Sequence, residues 1–182
     1  MPYAVVLYLD PQKSKPILQV IHELAQKNIA PYMQVHALQP HVTLAIYESL
    51  DCQTCESKIS GLASKIRGFD LNFSFLGIFH SESPVVFIGP TTSKELLDIH
   101  SQLHAVLKDD ADHPWELYKP GQWVPHCSLA VEFPATKLKE AVQICLKLNL
   151  PLLIPVAALG VVQFEPDQPL YDYEIGKAES NI

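Results

Sequence analysis

The chain has 182 residues, 48% of them hydrophobic and 18% charged, with a formal net charge of -7 and a single arginine, Arg67. That length suits one domain with a sizeable core, and an acidic balance without a basic stripe argues against a protein that tracks long nucleic acid, where cationic side chains must neutralise successive phosphates. No stretch is apolar for long enough to span a membrane, and four cysteines without a disulfide framework fit a reducing cytoplasm.

Residues 3–9 form a continuous apolar run with aromatic and β-branched members, the pattern of a strand buried on both faces, and Asp10-Pro11 ends it. Residues 14–28 follow as a helix, with Ile17, Leu18, Ile21, Leu24 and Ala25 at helical spacing, Ser14 as N-cap and Pro16 in the first turn. A strand runs from His41 to about Glu48. A second helix covers residues 51–66, its stripe Ile59, Leu62, Ala63 and Ile66 stopped by Gly68. Residues 69–79 and 85–88 read as paired strands joined by a polar loop. A third helix over 92–107 turns Leu96, Ile99, Leu103 and Val106 inward, and a loop rich in acids, prolines and aromatics fills 109–124. A short strand begins at His126, a fourth helix covers 134–148, and strands over 152–164 and 170–175 close the chain around the turn Glu165-Pro166-Asp167-Gln168-Pro169.

One phrase occurs twice in this series. Residues 40–46 read Pro-His-Val-Thr-Leu-Ala-Ile and residues 125–131 read Pro-His-Cys-Ser-Leu-Ala-Val. Each copy begins a strand in which a histidine and a hydroxyl stand two residues apart, and so point to one face. Each strand is accompanied by a helix and a strand pair, the order expected of a duplicated α+β unit. The reading is therefore a single bilobal domain over 1–182 in which His41 and His126 face one cleft.

Two histidines suit the opening of a cyclic phosphodiester. One imidazole, with an ordinary pKa of roughly 6.5, takes a proton from water while the other gives a proton to the departing ribose oxygen. Thr43 and Ser128 stand where a hydroxyl donates to phosphoryl oxygens as charge builds on them. The sequence leaves the acid and base roles unassigned between the two histidines, and the scheme calls for no metal and no cofactor.

His41 with Thr43 and His126 with Ser128 match the two His-x-(Thr/Ser) motifs of the 2H phosphoesterases, the superfamily that includes the bacterial 2'-5' RNA ligase-like proteins, and the chain resembles that family over most of its length. Residues 75–79, 85–88 and 93–107 are similar to the family's middle section. The resemblance implies a two-lobed α+β fold, antiparallel sheets with flanking helices, and a pseudo-twofold axis through a central cleft. It also implies a metal-independent phosphodiesterase acting on 2',3'-cyclic or 2'-5' linked nucleotides, with ligation as the reverse reaction. The partner expected is a small nucleotide or an RNA terminus carrying a cyclic phosphate. A nucleoside 2'-hydroxyl acting as nucleophile on 2'-5' or 3'-5' oligonucleotides, and a non-catalytic RNA-end binding module, are the alternatives. The second motif is followed by Ala130-Val131-Glu132, where many bacterial members carry a basic residue.

Lys119, Gln122 and Trp123 precede the second motif and are candidates for the cleft mouth, the lysine toward phosphate and the indole stacking on a base. Solvated-charge and core roles compete for Lys119 and Trp123. Tyr47 keeps the strand parity of His41 and Thr43 and is expected on their face. Cys52 and Cys55 have no second pair to complete a zinc site. His100 and His104, spaced as helical metal ligands, adjoin the apolar stripe of the third helix and read as packing residues.

Overall fold

The computed structural model describes residues 1–164 and 167–176. In chain order its strands are β1 (Tyr3–Leu9), β2 (His41–Leu50), β3 (Asp70–Phe79), β4 (Val85–Pro90), β5 (Ala111–Pro114), β6 (Cys127–Ala130), β7 (Leu152–Gln163) and β8 (Gln168–Glu174). Its α-helices are α1 (Lys15–Gln26), α2 (Tyr32–Val35), α3 (Cys52–Ala63), α4 (Lys94–Leu107) and α5 (Leu138–Cys145). No helix among the described residues is long and apolar enough to cross a membrane.

Local chemistry explains most of the helix boundaries. Asp51 accepts the backbone N–H groups of Gln53 and Thr54 at the start of α3, and Ser93 accepts that of Leu96 at the start of α4. Pro16 sits in the first turn of α1, where its missing N–H costs nothing. Ser14 does not cap α1 as expected. Its hydroxyl instead donates to the carbonyl oxygen of Asp10 at 2.6 Å, while the Asp10 carboxylate accepts the N–H groups of Gln12 and Lys13, so the aspartate organises this turn. The turn expected at 165–169 begins on Glu165 and Pro166, which lie outside the described residues.

All strand pairings are antiparallel, in the order β5-β2-β1-β7-β3-β4-β6, with β8 also on β7. The long strand β7 joins the two sides. Its first residues, Leu152 to Pro155, pair with β3, whereas Val156 to Gln163 pair with β1. The two histidine-bearing strands thus lie outward of this common strand, β2 beyond β1 and β6 beyond β4. The sequence showed neither α2 nor β5. Each has only four residues, and β5 is held by pairing with Tyr47, Ser49 and Leu50 across the chain rather than by a pattern of its own.

The core is one large cluster that includes Leu7, Ile17, Ile21 and Leu24 on one side and Phe73, Ile88, Leu96 and Leu103 on another, all at most 2% exposed. Val42, Leu44 and Ala45 from the first motif and Cys127, Leu129 and Ala130 from the second are buried in it. Burial of these apolar faces fixes the opposite face of each motif strand toward the cleft.

Candidate active site

A cavity of about 610 Å³ is lined by His41, His126 and Ser128 together with Ile46, Phe79, Trp123 and Val131. The residues that reach it follow from an irregularity repeated in both strands. β1 pairs Val6 with Thr43 but Val5 with Ala45, so Leu44 is an extra residue in β2. β4 pairs Phe87 with Ser128 but Val86 with Ala130, so Leu129 is the corresponding extra residue in β6. Such a bulge moves the following side chains to the other face. The cleft face therefore carries His41 and then Ile46 in one strand, and His126, Ser128 and then Val131 in the other.

This bulge corrects the expectation for Tyr47. Counted by strict alternation, Tyr47 shares the face of His41. One residue inserted at Leu44 turns it into the core, where it is 2% exposed and its hydroxyl lies 3.4 Å from Nδ1 of His104. Lys119 is also away from the cavity lining: its amine pairs with the Glu116 carboxylate at 2.6 Å on the short turn before the second motif. Trp123 does line the cavity, as do Gln122 and Ser128. Thr43 is half-buried next to this face and is not among the lining residues.

The two histidines are held alike. Nδ1 of His41 lies 2.7 Å from the carbonyl oxygen of Gln39, and Nδ1 of His126 lies 2.7 Å from that of Val124. A carbonyl only accepts, so Nδ1 carries the hydrogen in both rings and Nε2 is the nitrogen left to gain or lose a proton. Aromatic rings fix the ring planes. Phe79 meets His126 edge-on at 4.8 Å and Phe87 lies 5.3 Å from it, while Tyr8 meets His41 edge-on at 6.3 Å. Glycines give these rings room. A Cβ on Gly77 would lie 2.3 Å from the Phe87 ring, and one on Gly160 would lie 2.6 Å from that of Tyr8.

Burial lowers the pKa of both catalytic candidates from the usual histidine range. At His41 the carbonyl of Gln39 and the carboxylate of Asp167 oppose that shift. At His126 the carbonyl of Val124 opposes it, while charge on His41 adds to it. A proton on one ring thus disfavours a proton on the other, and the pair holds one proton more readily than two. An acid and a base together are what that state supplies.

Asp167 carries no signal of its own in the sequence, because it approaches the site from the β7–β8 turn. Its carboxylate accepts from the Tyr32 hydroxyl at 2.8 Å and meets Nδ1 of His36 at 3.1 Å. Tyr32 and His36 stack at 4.0 Å. In a chain of many acids one aspartate looks like any other; only the fold brings this one to α2.

Behind the cleft, His100 and His104 pack as expected. Each ring directs Nε2 to the carbonyl oxygen of Tyr118, at 2.9 and 3.0 Å, and His100 stacks flat on Trp123 at 4.1 Å. The Trp123 indole N–H donates to the carbonyl oxygen of Thr43 at 3.0 Å, so this layer supports the backbone of the first motif. Burial pushes the His100 imidazole down to about 4. An unfolded histidine takes up its proton near about 6.5. The stability contributed by the neutral ring is therefore complete above the unfolded value and is lost as pH falls through the folded one. The urea midpoint should fall between about pH 6.5 and 4, and a His100→Phe variant should fall less steeply; equal slopes would refute this role.

A family model described as the 2'-5' RNA ligase superfamily matches residues 30–168. No curated protein sequence matches the chain. Among solved structures, TT0787 of Thermus thermophilus is 16% identical, with 98% of this chain and 100% of that chain covered and a TM-score of 0.64. E. coli LigT complexed with 3'-AMP is 18% identical, with 97% and 100% covered and a TM-score of 0.62. Usb1 of Kluyveromyces marxianus is 12% identical, with 93% and 97% covered and a TM-score of 0.52. At these identities the likeness is one of fold.

Proposed function

The chain belongs to the 2'-5' RNA ligase superfamily, and on that premise we propose that it is a phosphodiesterase that opens the 2',3'-cyclic phosphate of nucleotides or RNA ends by paired-histidine acid–base catalysis. The observation that carries this reading is the matched presentation of His41 and His126 on one cavity, each with Nδ1 tied to the carbonyl two residues before it. In the proposed reaction one Nε2 accepts a proton from water as the water oxygen attacks phosphorus. The opposite Nε2–H protonates the ribose oxygen as the P–O bond breaks. Each transfer is worth on the order of 10²- to 10⁴-fold in rate. Ser128, on the cavity wall, donates to a non-bridging oxygen. Thr43 is assigned the corresponding part on the first strand, two residues from His41 as Ser128 is from His126. The reaction as written draws on no metal and no cofactor. All four cysteines are free, which supports a cytoplasmic setting.

The test is a screen in EDTA of the four nucleoside 2',3'-cyclic phosphates, 2'-5' dinucleotides and an RNA with a cyclic end, with product regiochemistry read by phosphorus NMR. Ring opening to a single monoester regioisomer is expected. Formation of new cyclic ends from dinucleotides would instead establish transesterification, and tight binding without turnover on every substrate would make the protein a binding module.

A further inference from the structure

The wall of the cleft carries no lysine or arginine among the described residues. Its charged members are two carboxylates, Asp167 and Glu132. The Asp167 side chain is only 4% exposed, anchored by Tyr32 and His36. Glu132 stands two residues past the end of β6 with φ of 51°, a left-handed turn that sets the direction in which the chain leaves the second motif. The nearest candidate cation in the sequence, Lys119, is already paired with Glu116. One phosphodiester carries a single negative charge, and an imidazolium with neutral hydroxyl donors is enough to hold it. A second phosphate on the same ligand would meet two carboxylates and, among the described lining residues, no lysine or arginine.

The remainder of the wall is apolar. Trp115, Leu117 and Val124 line the cavity yet are 41%, 74% and 45% exposed, which places them at its mouth. An exposed indole beside aliphatic side chains offers a flat surface for a base, a contact that carries no net charge.

Building on the phosphodiesterase reading, we propose that this site selects a nucleoside whose cyclic phosphate is its only charged group, with the base against the Trp115 rim and a free 5'-hydroxyl, and that it rejects ligands bearing a second phosphate. The substrate class is then the nucleoside 2',3'-cyclic monophosphate released as a small product of RNA breakdown. Nucleotides that retain a 5'-phosphate fall outside it. The class of reaction that supplies such a compound is a ribonuclease cleavage that leaves a 5'-hydroxyl on the neighbouring fragment, since attack by a 2'-oxygen yields both ends at once.

The experiment compares adenosine 2',3'-cyclic phosphate with the same compound carrying a 5'-phosphate, by turnover and by binding. Both tryptophans of the chain, Trp115 and Trp123, line the cleft, so quenching of intrinsic fluorescence reports occupancy whether or not chemistry follows. The 5'-phosphate should weaken binding and kcat/KM by at least about tenfold at low salt, with the gap narrowing as ionic strength rises. In Asp167→Asn and Glu132→Gln variants the ratio between the two ligands should move toward one. Equal affinity for both ligands, or preference for the 5'-phosphorylated one, overturns the inference. Discrimination in binding without turnover of either ligand upholds the inference and sinks the phosphodiesterase reading. Absence of binding by both ligands overturns the two together.

Discussion

Alanine in place of either His41 or His126 should lower turnover of a nucleoside 2',3'-cyclic phosphate by roughly a hundred- to ten-thousand-fold, with the fold intact. In the proposed mechanism the reason is the division of labour between the two Nε2 atoms. With one ring gone, either the water is not deprotonated or the ribose oxygen departs without a proton. Because the rings act in one step, the double variant should fall little further than the worse single one. Both rings are half-buried against the cleft wall and outside the hydrophobic core cluster, so unfolding in urea should stay cooperative, with a loss of about 0.5–3 kcal/mol at most. Full activity in both single variants would remove the mechanism. Loss of activity accompanied by loss of cooperative unfolding would make either histidine a structural residue.

Substitutions at Trp123 should affect stability and rate together. Trp123→Ala removes a side chain that is 9% exposed, stacked on His100 and bonded to the Thr43 carbonyl. A truncation of that size costs about 3–5 kcal/mol. Trp123→Phe keeps a ring for the stack and loses the indole N–H, leaving the Thr43 carbonyl without that donor at a cost of about 1–3 kcal/mol. Chemical denaturation gives the first quantity, and kcat at saturating substrate gives the effect on the first motif. The phenylalanine variant should keep most of the stability yet lose rate, since Thr43 lies two residues from His41. A phenylalanine variant with wild-type kcat would show that the indole bond supports the fold alone.

The doubled Pro-His phrase was legible because it is local: a histidine, a hydroxyl and the strand that carries them lie within the seven residues of each copy. The antiparallel strands and the main helices were legible for the same reason, through periodicity and caps such as Asp51. What the sequence hid depends on pairing between distant segments. The bulge at Leu44 exists only because β1 pairs around it, and it changes the face of Tyr47. Asp167 reaches α2 from far along the chain, and Lys119 meets a carboxylate only three residues away before it can turn to the cleft. His100 and His104 have the spacing of metal ligands, but a shared backbone carbonyl occupies both Nε2 atoms. Residue type suggested each of these groups; partner geometry decided their places.

The strand β7 has a consequence for motion. Its first four residues, from Leu152, belong to the β3 side and the residues from Val156 onward to the β1 side, with no linker between them. The separation of the two imidazoles is therefore set across one continuous run of paired strands, from β2 through β1, β7, β3 and β4 to β6, as graduations are along a steel rule. The mouth of the cleft is tied to the same frame, since Trp115 donates its backbone N–H to the carbonyl oxygen of Ile46 at 2.9 Å and its indole N–H to the Glu48 carboxylate at 2.5 Å.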